Sequence, residues 1–190
     1  MSPLGPWREW RTGRELQARA DGYAAAAAAE PPDPDVAWLA AEATGGDEDH
    51  ARWELRYLSR ALALVVAERL GADDLTAVAV ARALARQLRE DRAVAADRVA
   101  VAERQFDARL ARYREALRER GIRTAAERLA WVLLGFASGR DMSTRPAPER
   151  SIAIVDGLLA AHADRLREVF GVPALPEDVA PSEALARGGR

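Results

Sequence analysis

The stretch Arg52–Leu70, RWELRYLSRALALVVAERL, decides the fold. Its middle, Ala61–Ala67, reads ALALVVA and is apolar on every face. A helix that is apolar all round is buried on all sides. The chain is therefore expected to be all-α: an irregular multi-helix bundle of about five to seven helices. Its buried central helix (52–70) packs on helix 124–138. That second helix holds the other strongly apolar run, LAWVLLGFA, residues 129–137. Each Leu, Val or Phe fully buried there contributes about 1.5–3 kcal/mol.

Capping residues mark the helix boundaries on either side. Asp47 is placed to cap the central helix, with Glu48 and Asp49 matching its positive N-terminal dipole. Gly71 is expected to end it in the left-handed conformation. Upstream, Glu30-Pro-Pro-Asp-Pro-Asp35 is a break, with Asp33 as N-cap and Pro34 at the first helical position. A short helix 34–43 follows, and Thr44-Gly45-Gly46 stops it. Downstream, Asp73 or Asp74 starts a helix with Leu75, Val78, Ala81, Leu84 and Leu88 on one face. Residues 90–97 weaken the apolar phase, so two helices with a short joint are expected between 74 and 120, with Asp97 as a candidate cap. Thr124-Ala-Ala-Glu127 is a capping box. A last long helix covers 149–170, with the stripe Ile152, Val155, Leu159, His162, Leu166 and Val169.

Three units are expected from this pattern. Residues 1–32 form an N-terminal helical appendage, 33–170 the helical bundle domain, and 171–190 a Pro-containing C-terminal tail. The Ala24–Ala29 run favours helix but has little to bury, so that helix needs something to pack against.

Composition narrows the function classes. The 190 residues contain 28 cationic side chains, all of them Arg, with no Lys and no Cys. GC-rich coding accounts for Arg replacing Lys, which suggests a bacterial protein. Without Cys there is no disulfide, thiolate metal site or Cys nucleophile. No secretory signal opens the chain, and no apolar run approaches about 18 residues, so no transmembrane segment is expected and the localisation reads as cytoplasmic. A net charge of −2 argues against nucleic acid as a partner. Residues 30–54 carry eight acids against Arg52 alone, which also argues against a TetR-like repressor, whose N-terminal DNA-binding helices are basic.

Candidate chemistry is sparse. His50 and Glu54 stand at i and i+4 and share a helix face, a weak metal-ligand pair. Ser138 lies in Gly-Phe-Ala-Ser-Gly, which is not a nucleophile elbow. No phosphate loop or dinucleotide fingerprint is present, so no catalytic residue and no cofactor are assigned. Arg140, Arg145 and Arg150 flank a helix start and are anion-binding candidates. Trp7 and Trp10, with the narrow stripe Phe106, Leu110, Tyr113 and Leu117, are interface candidates. Trp53, Tyr57, Trp131, Phe136 and His162 are pocket candidates.

The leading expectation is a non-catalytic helical protein that binds a protein partner or itself as a homo-oligomer. The alternative is a small-molecule-sensing domain with an apolar pocket between core helices, taking a small apolar ligand. A metal- or anion-binding enzyme is the third reading. An empty apolar pocket favours sensing, and an exposed apolar surface favours assembly.

Overall fold

A computed structural model describes residues 5–71, 73–140 and 146–171, with residues 5–11 described by their backbone alone. Among these there are seven α-helices and no strand. They are α1 (Gly5–Ala27), α2 (Asp33–Leu39), α3 (Glu48–Leu70), α4 (Asp74–Arg89), α5 (Val99–Arg118), α6 (Ala125–Ser138) and α7 (Glu149–Phe170). A π-helical turn, Ala40–Thr44, extends α2, and a 3-10 turn, Ala96–Arg98, leads into α5.

Five helices close a ring: α1 packs on α4, α4 on α5, α5 on α6, α6 on α7 and α7 on α1. Helix α3 runs inside it and touches all five, as well as α2. Fourteen of its 23 residues are buried, including every position of Ala61–Ala67. The all-round apolar run thus does what its sequence requires. Helix α6 packs on α3 as expected, and it also covers α5 and α7.

The helix starts follow side-chain chemistry. Asp47 accepts from the His50 N–H, Asp73 from Thr76 and Thr124 from Glu127. Four expectations need correction. Asp33 does not cap α2: Pro32 precedes the helix with no side-chain cap, and the Asp33 carboxylate instead accepts from Arg52 at 3.3 Å. Asp97 does not cap α5, because the 3-10 turn continues directly into that helix. Gly71 is extended, not left-handed; a Cβ there would collide with the Ala67 carbonyl, and that close approach is its reason for being glycine. The C-terminal half of α1 is a wall of the bundle and not an appendage. Ala20, Tyr23, Ala24 and Ala27 are fully buried there. Helix α1, which carries most of the Ala run, packs on α4, α7 and α3. The tail beyond Gly171 lies outside the described residues.

Charges are buried with the central helix. Arg60 and Glu54 are each 1% exposed. Arg60 donates to Asp91 Oδ2 at 2.8 Å, tying α3 to the joint between α4 and α5. Arg56 reaches Glu30 on the α1–α2 link and lies 3.9 Å from the same Asp91. Burial lowers the Arg60 pKa, and Asp91 opposes that shift by charge and hydrogen bond.

Removing one member of such a pair leaves the other charge buried and unmatched. Asp91→Ala is expected to lower the unfolding free energy by about 3–5 kcal/mol, measured by urea denaturation. A loss below about 1 kcal/mol would mean that Arg60 reaches water when Asp91 is gone.

Candidate functional site

Small side chains leave space where the end of α1, the start of α2, α3 and α7 converge. Ala26 and Ala29 come from the α1 end, Leu55 and Ser59 from α3, and Ile154, Gly157, Leu158 and Ala161 from α7. Together they line a cleft of about 500 Å³. Its wall is largely aliphatic. Its rim is charged, with Glu30 and Asp35 on one side and Arg150 and Arg165 on α7. Arg150 donates to Asp35 Oδ1 at 2.6 Å and joins α7 to α2 at that rim.

Ser59 and His162 supply the polar groups of the cleft wall. Ser59 Oγ donates to the Ala27 carbonyl at 2.9 Å and lies 3.2 Å from His162 Nε2. With its single proton committed to Ala27, the hydroxyl accepts from the imidazole N–H. The pair therefore holds α1, α3 and α7 together and does not form the nucleophile–base arrangement of a hydrolase, where the serine proton faces the imidazole. Tyr23 packs its ring edgewise on His162 and donates to the Ala63 carbonyl at 3.0 Å. Burial raises the Tyr23 pKa and pushes the His162 imidazole down to about 4. His162 is neutral in the native protein at pH 7.

The candidate residues from the sequence do not gather in one place. Of the five pocket candidates, only His162 lines this cleft. Trp131 and Phe136 line a second one, near the C-terminal end of α5, and Arg140 joins them there. Trp53 and Tyr57 border neither. They pack against each other at 5.6 Å, with Arg56 over the Trp53 ring and Arg109 over the Tyr57 ring. Arg140 and Arg150 belong to different clefts, and Arg145 lies outside the described residues, as do the Trp7 and Trp10 side chains. The α5 stripe faces the core of this bundle: Phe106, Leu110 and Tyr113 are buried and Leu117 is half-buried against it. Ser138 Oγ donates back to the Leu134 carbonyl at 2.7 Å.

The metal-like pair has other occupation. His50 Nε2 lies 3.2 Å from Glu54, but both Glu54 oxygens accept from Arg109, the Oε2 contact at 2.7 Å. Among the described residues no group of three or more His, Asp or Glu is placed to hold a metal ion. None of their helices is long and apolar enough to cross a membrane.

Sequence reasoning missed the partners Ser59, Arg109 and Asp91, whose roles depend on contacts far along the chain. It also passed over Gly157. A mid-helix glycine costs about 1 kcal/mol against alanine. At Gly157 a Cβ would meet nothing within 4 Å, so packing does not demand glycine there.

No family model matches this chain, and no curated protein or solved structure matches it significantly.

The His162 environment sets a pH dependence. The unfolded imidazole titrates near its ordinary value of 6.5 and the native one near 4. Between these the unfolded chain takes up a proton that the native one refuses, so stability falls as pH falls through this window. Wild type is expected to lose about 2–3 kcal/mol more than His162→Gln between pH 7 and pH 4, read by urea denaturation at each pH. Parallel pH profiles would show that His162 accepts a proton without unfolding.

Proposed function

We propose that this chain is a non-catalytic helical binding protein, and that the cleft between the α1–α2 link, α3 and α7 receives a small, mostly apolar molecule. The aliphatic cleft carries this reading. Its volume falls within the roughly 300–1,000 Å³ of small-molecule sites, and its few polar groups converge from Ser59, His162 and the rim. A ligand would lay its apolar body along Leu55, Ile154 and Leu158 and turn its polar end to the charged rim. Gly157 supports the same reading: it keeps open a space that any side chain on α7 would occupy. Ligand binding would tighten the contact of α7 with the α1–α2 link, which is the kind of change a sensor passes on. The reading includes a bacterial, cytoplasmic setting, which the replacement of Lys by Arg supports.

A second reading is assembly with a protein partner or a second copy. The exposed large apolar side chains Leu70, Leu75 and Val78, clustered around the α3–α4 turn, favour it. The α5 stripe adds nothing to it, because those side chains are buried in the bundle. A strict monomer by light scattering, unchanged by Leu75→Glu, would remove it.

The neutral fluorophore N-phenyl-1-naphthylamine tests the first reading. It is expected to bind saturably at one site. Gly157→Leu is expected to weaken that binding by about tenfold or more, while raising the thermal midpoint through better helix propensity. Equal binding by wild type and a folded Gly157→Leu variant would reject the cleft as the site.

A further inference from the structure

We propose that the second cleft, between the C-terminal end of α5 and helix α6, is a separate site for a small organic anion that carries a flat ring. The cleft measures about 630 Å³. Four arginines line it, Arg112, Arg123, Arg128 and Arg140, against a single acid, Glu119. The chain as a whole is slightly acidic, so this concentration of positive charge is local. Oxyanions are the natural counterpart of clustered guanidinium groups, which match them in charge and in fork geometry.

Two of these arginines have no carboxylate partner among the described residues. Arg128 spends its donors on backbone, with Nε to the Ala116 carbonyl at 2.7 Å and Nη1 to the Arg123 carbonyl. Those bonds fix the guanidinium plane without neutralising it. Arg140 lies in the turn after α6, beside the left-handed Gly139, and lines the cleft there. Arg112 and Arg123 pair with Glu115 and Glu127 on their own helices or the turn beside them.

The aromatic wall specifies the rest of the ligand. Trp131 and Phe136 face the cleft from α6, and the Arg123 guanidinium stands 6.0 Å from the Trp131 ring. Trp131 is 7% exposed and its indole N–H has no acceptor among the described residues. Gly135 sits between these two aromatics in the cleft wall. A Cβ there would make only ordinary contact with the Arg140 carbonyl, so the glycine again leaves volume and not a strained backbone. A planar carboxylate suits this wall: its charge pairs with the guanidinium groups and its ring stacks on their flat faces. A cleft of this size suits a small molecule better than a polymer.

The test uses the full chain and isothermal calorimetry with 2-naphthoate, its neutral analogue 2-naphthalenemethanol, and inorganic phosphate. The expected result is measurable 2-naphthoate binding, at least about tenfold tighter than either comparison ligand. Arg140→Gln, at an exposed residue whose loss should leave the melting temperature unchanged, is expected to weaken 2-naphthoate severalfold. Gly135→Leu is expected to abolish its binding, while Gly157→Leu, in the other cleft, leaves it intact. Equal affinity for the alcohol, equal affinity for phosphate, or unchanged 2-naphthoate binding in folded Arg140→Gln and Gly135→Leu would each overturn the proposal. A single-stranded oligonucleotide binding far more tightly than 2-naphthoate would overturn it in favour of a polymer surface.

Discussion

Charge has to be matched inside the ring of helices, and the arrangement of this protein follows from that. Glu54 and Arg60 lie on α3, the helix that five others enclose, and both are almost inaccessible to water. An ion taken out of water without a partner costs several kcal/mol, which is a large share of a domain's net stability. Each therefore draws a counter-charge from a different element. Arg109 comes from α5 to Glu54, and Asp91 from the α4–α5 joint to Arg60. Arg56, nearly as buried, takes Glu30 from the α1–α2 link. Apolar packing alone tolerates sliding of one helix on another, since Leu against Leu works in several registers. These ion pairs do not, and they index three neighbours along α3.

The same arrangement accounts for the two clefts. A ring closed around one helix packs tightly where long side chains interdigitate and leaves gaps where small ones meet. Ala26, Ala29, Ala161 and Gly157 come together at the α1–α7 corner, and Gly135 with Ala116 at the α5–α6 corner. One gap is aliphatic with a mixed rim and the other is cationic with an aromatic wall. Their chemistry therefore differs although their origin is shared.

Much of the scaffold was legible in the sequence because it is encoded locally. ALALVVA announces a buried helix from its own residues, and Asp47, Asp73 and Thr124 each accept from the backbone N–H three residues on. What depends on distant contacts was not legible. Asp33 has the form of a cap, but Arg52, nineteen residues away, claims its carboxylate. The stripe Phe106–Tyr113 specifies that α5 has an apolar neighbour, without specifying whether that neighbour is in the same chain. The Ala run of α1 shows no stripe at all, because small residues bury through close approach and not through bulk. The pocket aromatics share a type but not a location, so grouping them by type placed Trp53 and Tyr57 in a cavity they do not border.

The most direct test of charge matching as the organising constraint is a double-mutant cycle on Glu54 and Arg109. The unfolding free energies of Glu54→Gln, Arg109→Gln and the double variant would be compared with wild type in urea. Charge matching predicts a coupling energy of about 1.5 kcal/mol or more, with the double variant far less destabilised than the sum of the singles. A coupling below about 0.5 kcal/mol would contradict it and assign the register of α3 to apolar packing alone.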